Sequence, residues 1–176
     1  MKKSFLMLIL VMFVSLIVAS LWDSVPAIKN AVNLVLNPTF GFLLQVNLHW
    51  GFIIITLFVT FITTLVQKYA TDQDALKAIK DEQKAMQQEM KQYNNNPQKM
   101  LEFQKKQFEK IPETMELTMK PLLYTAIPFI ILIRWFSDTF KNLNDPEFFG
   151  FMSWFWAYLL LAIIFSIILR KLLKVY

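Results

Sequence analysis

The sequence predicts an all-α integral membrane protein. It should have three core transmembrane helices, a cytoplasmic antiparallel coiled-coil hairpin between the first and second, and an extra hydrophobic helix at the N-terminus. Three observations carry this prediction. The 176-residue chain is 56% hydrophobic with 17 Phe and a mean hydropathy of +0.42, too apolar to cover a soluble domain of this size with polar surface. Its apolar residues fall into runs long enough for a bilayer. Its charge is gathered in one internal, glycine-free block, Gln67 to Lys120, which holds 19 of the 31 charged residues.

Residues 1–22 form the first apolar unit. Phe5 to Leu21 is uncharged and follows Lys2 and Lys3. It reads as a transmembrane anchor, or, with Val18-Ala19-Ser20 at its end, as a signal-like segment. Residues 23–38 follow. Val25, Ile28, Val32, Val35 and Leu36 recur there at helical spacing, which predicts an amphipathic helix on the extracytoplasmic surface, ended by Asn37-Pro38. Residues 39–66 are the first core span. Residues 121–140 make the second, provided it takes in Arg134 and Asp138, and residues 148–170 the third. A basic tail, 171–176, ends the chain.

Orientation comes from the lysines and arginines. Ten lysines lie in the charged block, Lys2 and Lys3 precede the first run, and Arg170, Lys171 and Lys174 close the last. The other two connections hold only Lys29 and Lys141. The positive-inside rule therefore puts the N-terminus, the block and the C-terminus in the cytoplasm of a multi-pass protein, taken here as one of the plasma membrane. Trp22, Trp50, Trp135, Trp154 and Trp156 fall near the predicted outer ends, as interfacial aromatics.

Residues 67–120 are the hairpin. Tyr69, Leu76, Ile79, Met86, Met90 and Tyr93, with Asp72 and Gln83, alternate spacings of three and four, the mark of a coiled-coil seam. Leu101, Phe108, Ile111, Met115 and Leu122, with Gln104 and Thr118, repeat the pattern and are expected to be the facing seam. Asn94 to Pro97 is the turn, with Asn96 as N-cap and proline at the first helical position. Pro112 and Pro121 suggest a hinge at the base. Met86, Met90, Met100, Met115 and Met119 either fill the hairpin seam or offer an adaptable surface to substrates.

Within the spans, Gln45, His49, Thr56, Thr60, Thr63 and Gln67 would form one stripe on a continuous helix. Such a stripe faces protein or water, because lipid leaves polar groups unsatisfied. It either lines a wet groove or is a packing face whose threonines bond to their own helix. Arg134, the only cation well inside a span, either snorkels outward, pairs with Asp138, or projects into that groove.

Several functions are excluded. The chain has no Cys and a single His, so thiolate chemistry and multi-histidine metal sites are ruled out, and no cofactor is expected. No catalytic constellation or phosphate loop is present, so the protein is not expected to be an enzyme. The basic residues flank apolar runs and alternate with acids, which speaks for membrane orientation and against DNA.

The order of spanning helix, hairpin, two more spans and basic tail resembles the YidC/Oxa insertase superfamily, in its short archaeal branch. The local echoes are Met90-Lys91-Gln92-Tyr93, Asn96-Pro97-Gln98-Lys99-Met100 and Ile127-Pro128-Phe129, with Gln73-Asp74 and Lys120-Pro121 similar to archaeal members. The likeness extends from about Asn37 to Leu173. It implies a membrane protein insertase or chaperone that works without ATP through a hydrophilic groove, receiving nascent membrane proteins in the lipid bilayer. It also implies a ribosome or targeting machinery at the basic hairpin. Bacterial members carry a groove arginine in the first core span. Gly51 to Val66 has no charge, so Arg134 is the candidate substitute, or the threonines keep the groove wet alone. The competing readings are an ion channel or transporter subunit with a polar pore, and a scaffold whose hairpin pairs with one partner.

Overall fold

The structure, a computed structural model, describes residues 2–93 and 97–175. The helices are α1 (Lys2–Ser24), α2 (Pro26–Leu36), a π-helical turn (Asn37–Gly41), α3 (Phe42–Val46), α4 (Leu48–Ala70), α5 (Gln73–Gln92), α6 (Pro97–Asn142) and α7 (Trp154–Leu173). There is no strand among the described residues, only an isolated bridge between Phe148 and Met152. Helices α1, α4, α6 and α7 are each long and apolar enough to cross a membrane. Asn94–Asn96, the expected turn with its N-cap, lies outside the described residues.

The expected first core span, 39–66, is divided. Pro38 has no N–H to give to a regular helical ladder, and the chain widens into the π turn there before α3. It then breaks at Asn47, whose extended backbone (φ −157°, ψ 117°) ends α3. The same residue starts α4: its Oδ1 accepts from the Trp50 N–H at 3.0 Å. The return is tight. A Cβ on Gly51 would lie 2.4 Å from the Leu43 carbonyl oxygen, so only glycine lets α4 pass α3 at this distance. Gly51→Ala is expected to destabilise the detergent-solubilised protein by about 1–3 kcal/mol. A thermal unfolding midpoint equal to the parent's would contradict this.

The hinge expected at Pro112 and Pro121 is not a break. Helix α6 runs unbroken for 46 residues through Pro112, Pro121 and Pro128. Each proline strands the carbonyl four residues before it. For Pro121 that carbonyl is Leu117's, and the buried Thr71 hydroxyl donates to it at 3.4 Å. The α4–α5 joint thus supplies the bond that the proline cannot. Asp72, whose carboxylate accepts from the Ala75 N–H at 3.0 Å, starts α5.

Helix α5 and the first half of α6 lie antiparallel. Tyr93 meets Phe103 (6.1 Å between rings), Met90 meets Gln107, and Glu82 pairs with Lys110 at 3.0 Å. The Glu82 carboxylate raises the Lys110 ammonium above its ordinary value. That link therefore persists through neutral pH and fades in strong alkali, as Lys110 loses its proton. Of the expected α5 seam, Leu76 and Ile79 are buried and Met86 and Met90 half-buried, while Tyr93 is exposed, as is Tyr69 on α4. The α6 seam is a different one. Phe103, Gln107 and Lys110 face α5, while Leu101, Phe108, Ile111, Met115 and Leu122, the residues expected there, are all exposed. Both sets have the same 3–4 spacing one residue apart, and periodicity cannot choose between them.

The core lies at the loop end of the bundle, where α6 connects to α7. Phe52 of α4, Phe136 and Phe140 of α6, Phe148 of the connecting loop and Tyr158 of α7 are all buried. The Phe52 ring lies 4.3 Å from Phe148, 5.5 Å from Phe140 and 5.7 Å from Phe136. The loop reaches this packing by left-handed turns at Asn144, Asp145, Phe149 and Gly150. Helix α1 packs along α6, and two of the expected interfacial aromatics are buried with it. Trp22 donates its indole N–H to Asp138 at 2.8 Å, and Trp135 donates to Asn37 at 2.9 Å. A fully buried indole needs such a partner. Trp50 and Trp156 are exposed.

Candidate functional site

Toward the hairpin end the bundle is not closed. A cleft of about 410 Å³ lies between α4, α6 and α7. A second cavity of about 580 Å³, almost wholly apolar, lies between α2, α4 and α6. The two share Thr63 and Phe129 in their walls. The first cleft carries the polar groups: Thr60 and Thr63 from α4, and Tyr158, Ser166 and Arg170 from α7. At its hairpin end, Arg170 donates to the Gln67 side chain at 2.8 Å, joining α7 to α4. Phe129, Leu159, Ala162, Ile163 and Ile167 complete the walls.

The α4 stripe divides. Gln45 sits exposed on α3, beyond the break at Asn47, and His49 is exposed in the first turn of α4, 5.3 Å from the Phe148 ring. Neither reaches the cleft. Thr56 is fully buried in the packing face of α4, in line with Phe52, Thr60 and Thr64. The threonine hydroxyls bond to their own helix: Thr56 to the Phe52 carbonyl at 2.8 Å, Thr60 to Thr56 at 2.7 Å, Thr64 to Thr60 at 2.7 Å and Thr63 to Thr60 at 3.0 Å. The donors are satisfied, so the stripe can pack without water. Each hydroxyl oxygen still has a free lone pair, which at Thr60 and Thr63 is available to the cleft.

Arg134 is turned away from the cleft. Its guanidinium donates through Nε to the Ala19 carbonyl at 3.1 Å, a second nitrogen reaches the same oxygen, and the Asp23 carboxylate lies 3.7 Å away. It does not pair with Asp138, which instead holds Lys29 at 2.6 Å and accepts from Trp22. Together these contacts tie α1 and α2 to α6. Of the five hairpin methionines, Met119 is buried, Met86, Met90 and Met100 are half-buried along the hairpin, and only Met115 is exposed.

The sequence reasoning missed the contribution of α7. Tyr158, Ser166 and Arg170 lie on one side of the last span, four or eight residues apart with the small Ala162 between the first two, a polar face on that helix. Arg170, the last residue of the expected third span, carries only an orientation signal in the sequence pattern, whereas its side chain lines the cleft. Thr64, buried one position beyond Thr63, was also passed over.

A family model described as "Integral membrane protein EMC3/TMCO1-like" matches residues 33–145. That segment covers more than half of the chain, from α2 to the end of α6, and stops short of the α7 face of the cleft. No curated protein and no solved structure matches the chain.

Proposed function

From the premise that this chain belongs to the EMC3/TMCO1-like family of integral membrane proteins, within the superfamily related to the Oxa1/YidC/Alb3 insertases, we propose that it is a membrane protein insertase. It acts on nascent hydrophobic segments, without enzymatic chemistry or ATP. The observation that carries the reading is the cleft between α4, α6 and α7. It is sealed at the loop end by the aromatic core and lined toward the hairpin end by Thr60, Thr63, Tyr158, Ser166 and Arg170.

Moving a polar flank through hydrocarbon is costly because its groups lose water. A cleft that brings hydroxyls and one cation part of the way across shortens the dry path. The lysine pattern supports a cytoplasmic hairpin and an opening on the cytoplasmic side. The burial of Trp22 against α6 supports a retained α1. The single hairpin between the first and second core spans supports kinship with the short archaeal YidC-like members. A pore reading finds less support: the 580 Å³ cavity has only Thr63, Tyr124 and Thr125 as polar wall residues.

Photo-crosslinkers at Thr60 and Ser166 are expected to capture a hydrophobic test segment during ribosome-coupled synthesis, whereas one at His49 is not. Equal capture at all three positions, or none at Thr60 and Ser166, would overturn the proposal.

A further inference from the structure

Helix α7 is short for the membrane it crosses. Its uncharged part, Trp154 to Leu169, is 16 residues, about 24 Å at 1.5 Å per residue, against a hydrocarbon core of about 30 Å. Any tilt widens the shortfall. Arg170, Lys171 and Lys174 hold the other end at the headgroups, so the missing length falls at the loop end. There the sequence stays uncharged for the six residues before the helix, Phe148 to Ser153, after Asp145 and Glu147.

Those residues are built as a wedge. Phe148 is buried in the aromatic core. Its N–H donates to the Met152 carbonyl at 2.7 Å, and its carbonyl accepts from the N–H groups of Met152 at 2.9 Å and Phe151 at 3.3 Å. Phe149, Gly150 and Phe151 form the tip. The tip needs left-handed backbone at Phe149 and Gly150 (φ 55° and 80°), which a phenylalanine adopts at a cost. The result is a pair of outward aromatic rings, Phe149 49% and Phe151 72% exposed. The bonds inside the turn leave it with fewer unpaired backbone groups to carry out of water. Between Phe151 and α7 lies a groove of about 640 Å³, walled by Phe151, Trp156, Leu160, Ile163 and Ile164, with Ser153 near its loop end. It continues into exposed Ile167 and Ile168. Apolar surface of this extent is not left in water. Nor is it built for a partner helix: Ala162 and Ser166, small residues of the kind that let membrane helices approach closely, lie in the wall of the cleft instead.

We propose that the 148–152 turn is a membrane wedge. Phe151 sits in the leaflet at the loop end of the bundle, and lipid chains of that leaflet fill the groove beneath it. The wedge supplies the length that α7 lacks. The proposal rests on the chain's being an integral membrane protein and stands whether or not the cleft inserts substrates.

The chain has no cysteine, so the test places single nitroxide labels through Phe151→Cys, Leu160→Cys and Asp145→Cys in the full-length protein in phosphatidylcholine nanodiscs. Circular dichroism equal to the parent's checks the fold. Collision with oxygen, which dissolves in lipid, is compared with collision with chromium oxalate, an anion that stays in water. The oxygen-to-oxalate ratio is expected to be about fivefold higher at positions 151 and 160 than at 145. A ratio at 151 equal to that at 145 would overturn the wedge, because the bilayer would then thin to meet α7. A label at 160 shielded from both reagents would overturn lipid as the occupant. Broadening between labels at 160 that vanishes on dilution with unlabelled chain would do the same and mark a second copy. Phe151→Ser gives a label-free readout. Its unfolding midpoint should fall further below the parent's in long-chain dierucoylphosphatidylcholine than in short-chain dimyristoylphosphatidylcholine, where α7 alone comes closer to spanning. An equal fall in both lipids would count against the wedge.

Discussion

Arg170→Leu is expected to lower insertion of a test substrate about tenfold, equivalent to about 1.4 kcal/mol on the barrier. The protein should still fold, because the loop-end core does not involve Arg170. The loss has two sources. The cleft loses its cation, and Gln67 loses the donor that holds α4 to α7 at 2.8 Å. Arg170→Lys separates them. A lysine restores charge but not the planar fork, so partial rescue points to charge and no rescue points to the Gln67 link. Arg134→Leu is the contrasting variant. It should loosen α1, through the lost bonds to Ala19 and Asp23, and leave insertion near the parent's rate. Reconstituted proteoliposomes with a radiolabelled substrate measure all three. Equal loss in Arg134→Leu and Arg170→Leu would contradict the assignment of the cleft cation.

The second large effect is expected at the opposite end. Phe52 is fully buried and touches Phe136, Phe140 and Phe148. In water-soluble cores Phe→Ala costs about 3–5 kcal/mol. Within a bilayer the transfer from water contributes less, and lost dispersion and the cavity remain, so about 2–3 kcal/mol is expected here. The loop should suffer first, because the ring closest to Phe52 is Phe148 of the α6–α7 connection. Limited proteolysis near Phe149 should accelerate in Phe52→Ala, while cleavage of the hairpin stays unchanged. A hairpin that becomes labile in parallel would mean that the two ends are one cooperative unit.

The four apolar helices are legible in the sequence because hydropathy acts over tens of residues. The α5 seam was legible because one apolar stripe competes with no other: Leu76, Ile79, Met86 and Met90 have no rival face. Helix α6 has two, and the less apolar one faces α5, half-buried, a choice that no count of apolar residues can anticipate. The cleft was half legible. Thr60, Thr63 and Gln67 follow from the polar stripe, but a stripe drawn through Gln45 and His49 assumes a continuous helix, and Asn47 interrupts it: its extended backbone ends α3 and its side chain caps α4. Arg170 was hidden by its address: a cation at the end of a span reads as a topological signal until a neighbouring helix gives it a partner. The tryptophans mislead in the same way: Trp22 and Trp135, expected at the interface, spend their indole N–H groups on Asp138 and Asn37.

Because α6 is unbroken, it acts as a single axle, roughly 69 Å long at 1.5 Å per residue, with one end in the hairpin, the other in the aromatic core, and Phe129 between them in the wall of the cleft. Its two seams differ by one residue, or about 100° of turn. Exchanging one for the other against α5 would therefore require torque on the whole shaft, and the same turn would swing Phe129 out of the walls of both cavities. A change of seam at the hairpin would thus be geometrically coupled to the place of Phe129 in the cleft wall.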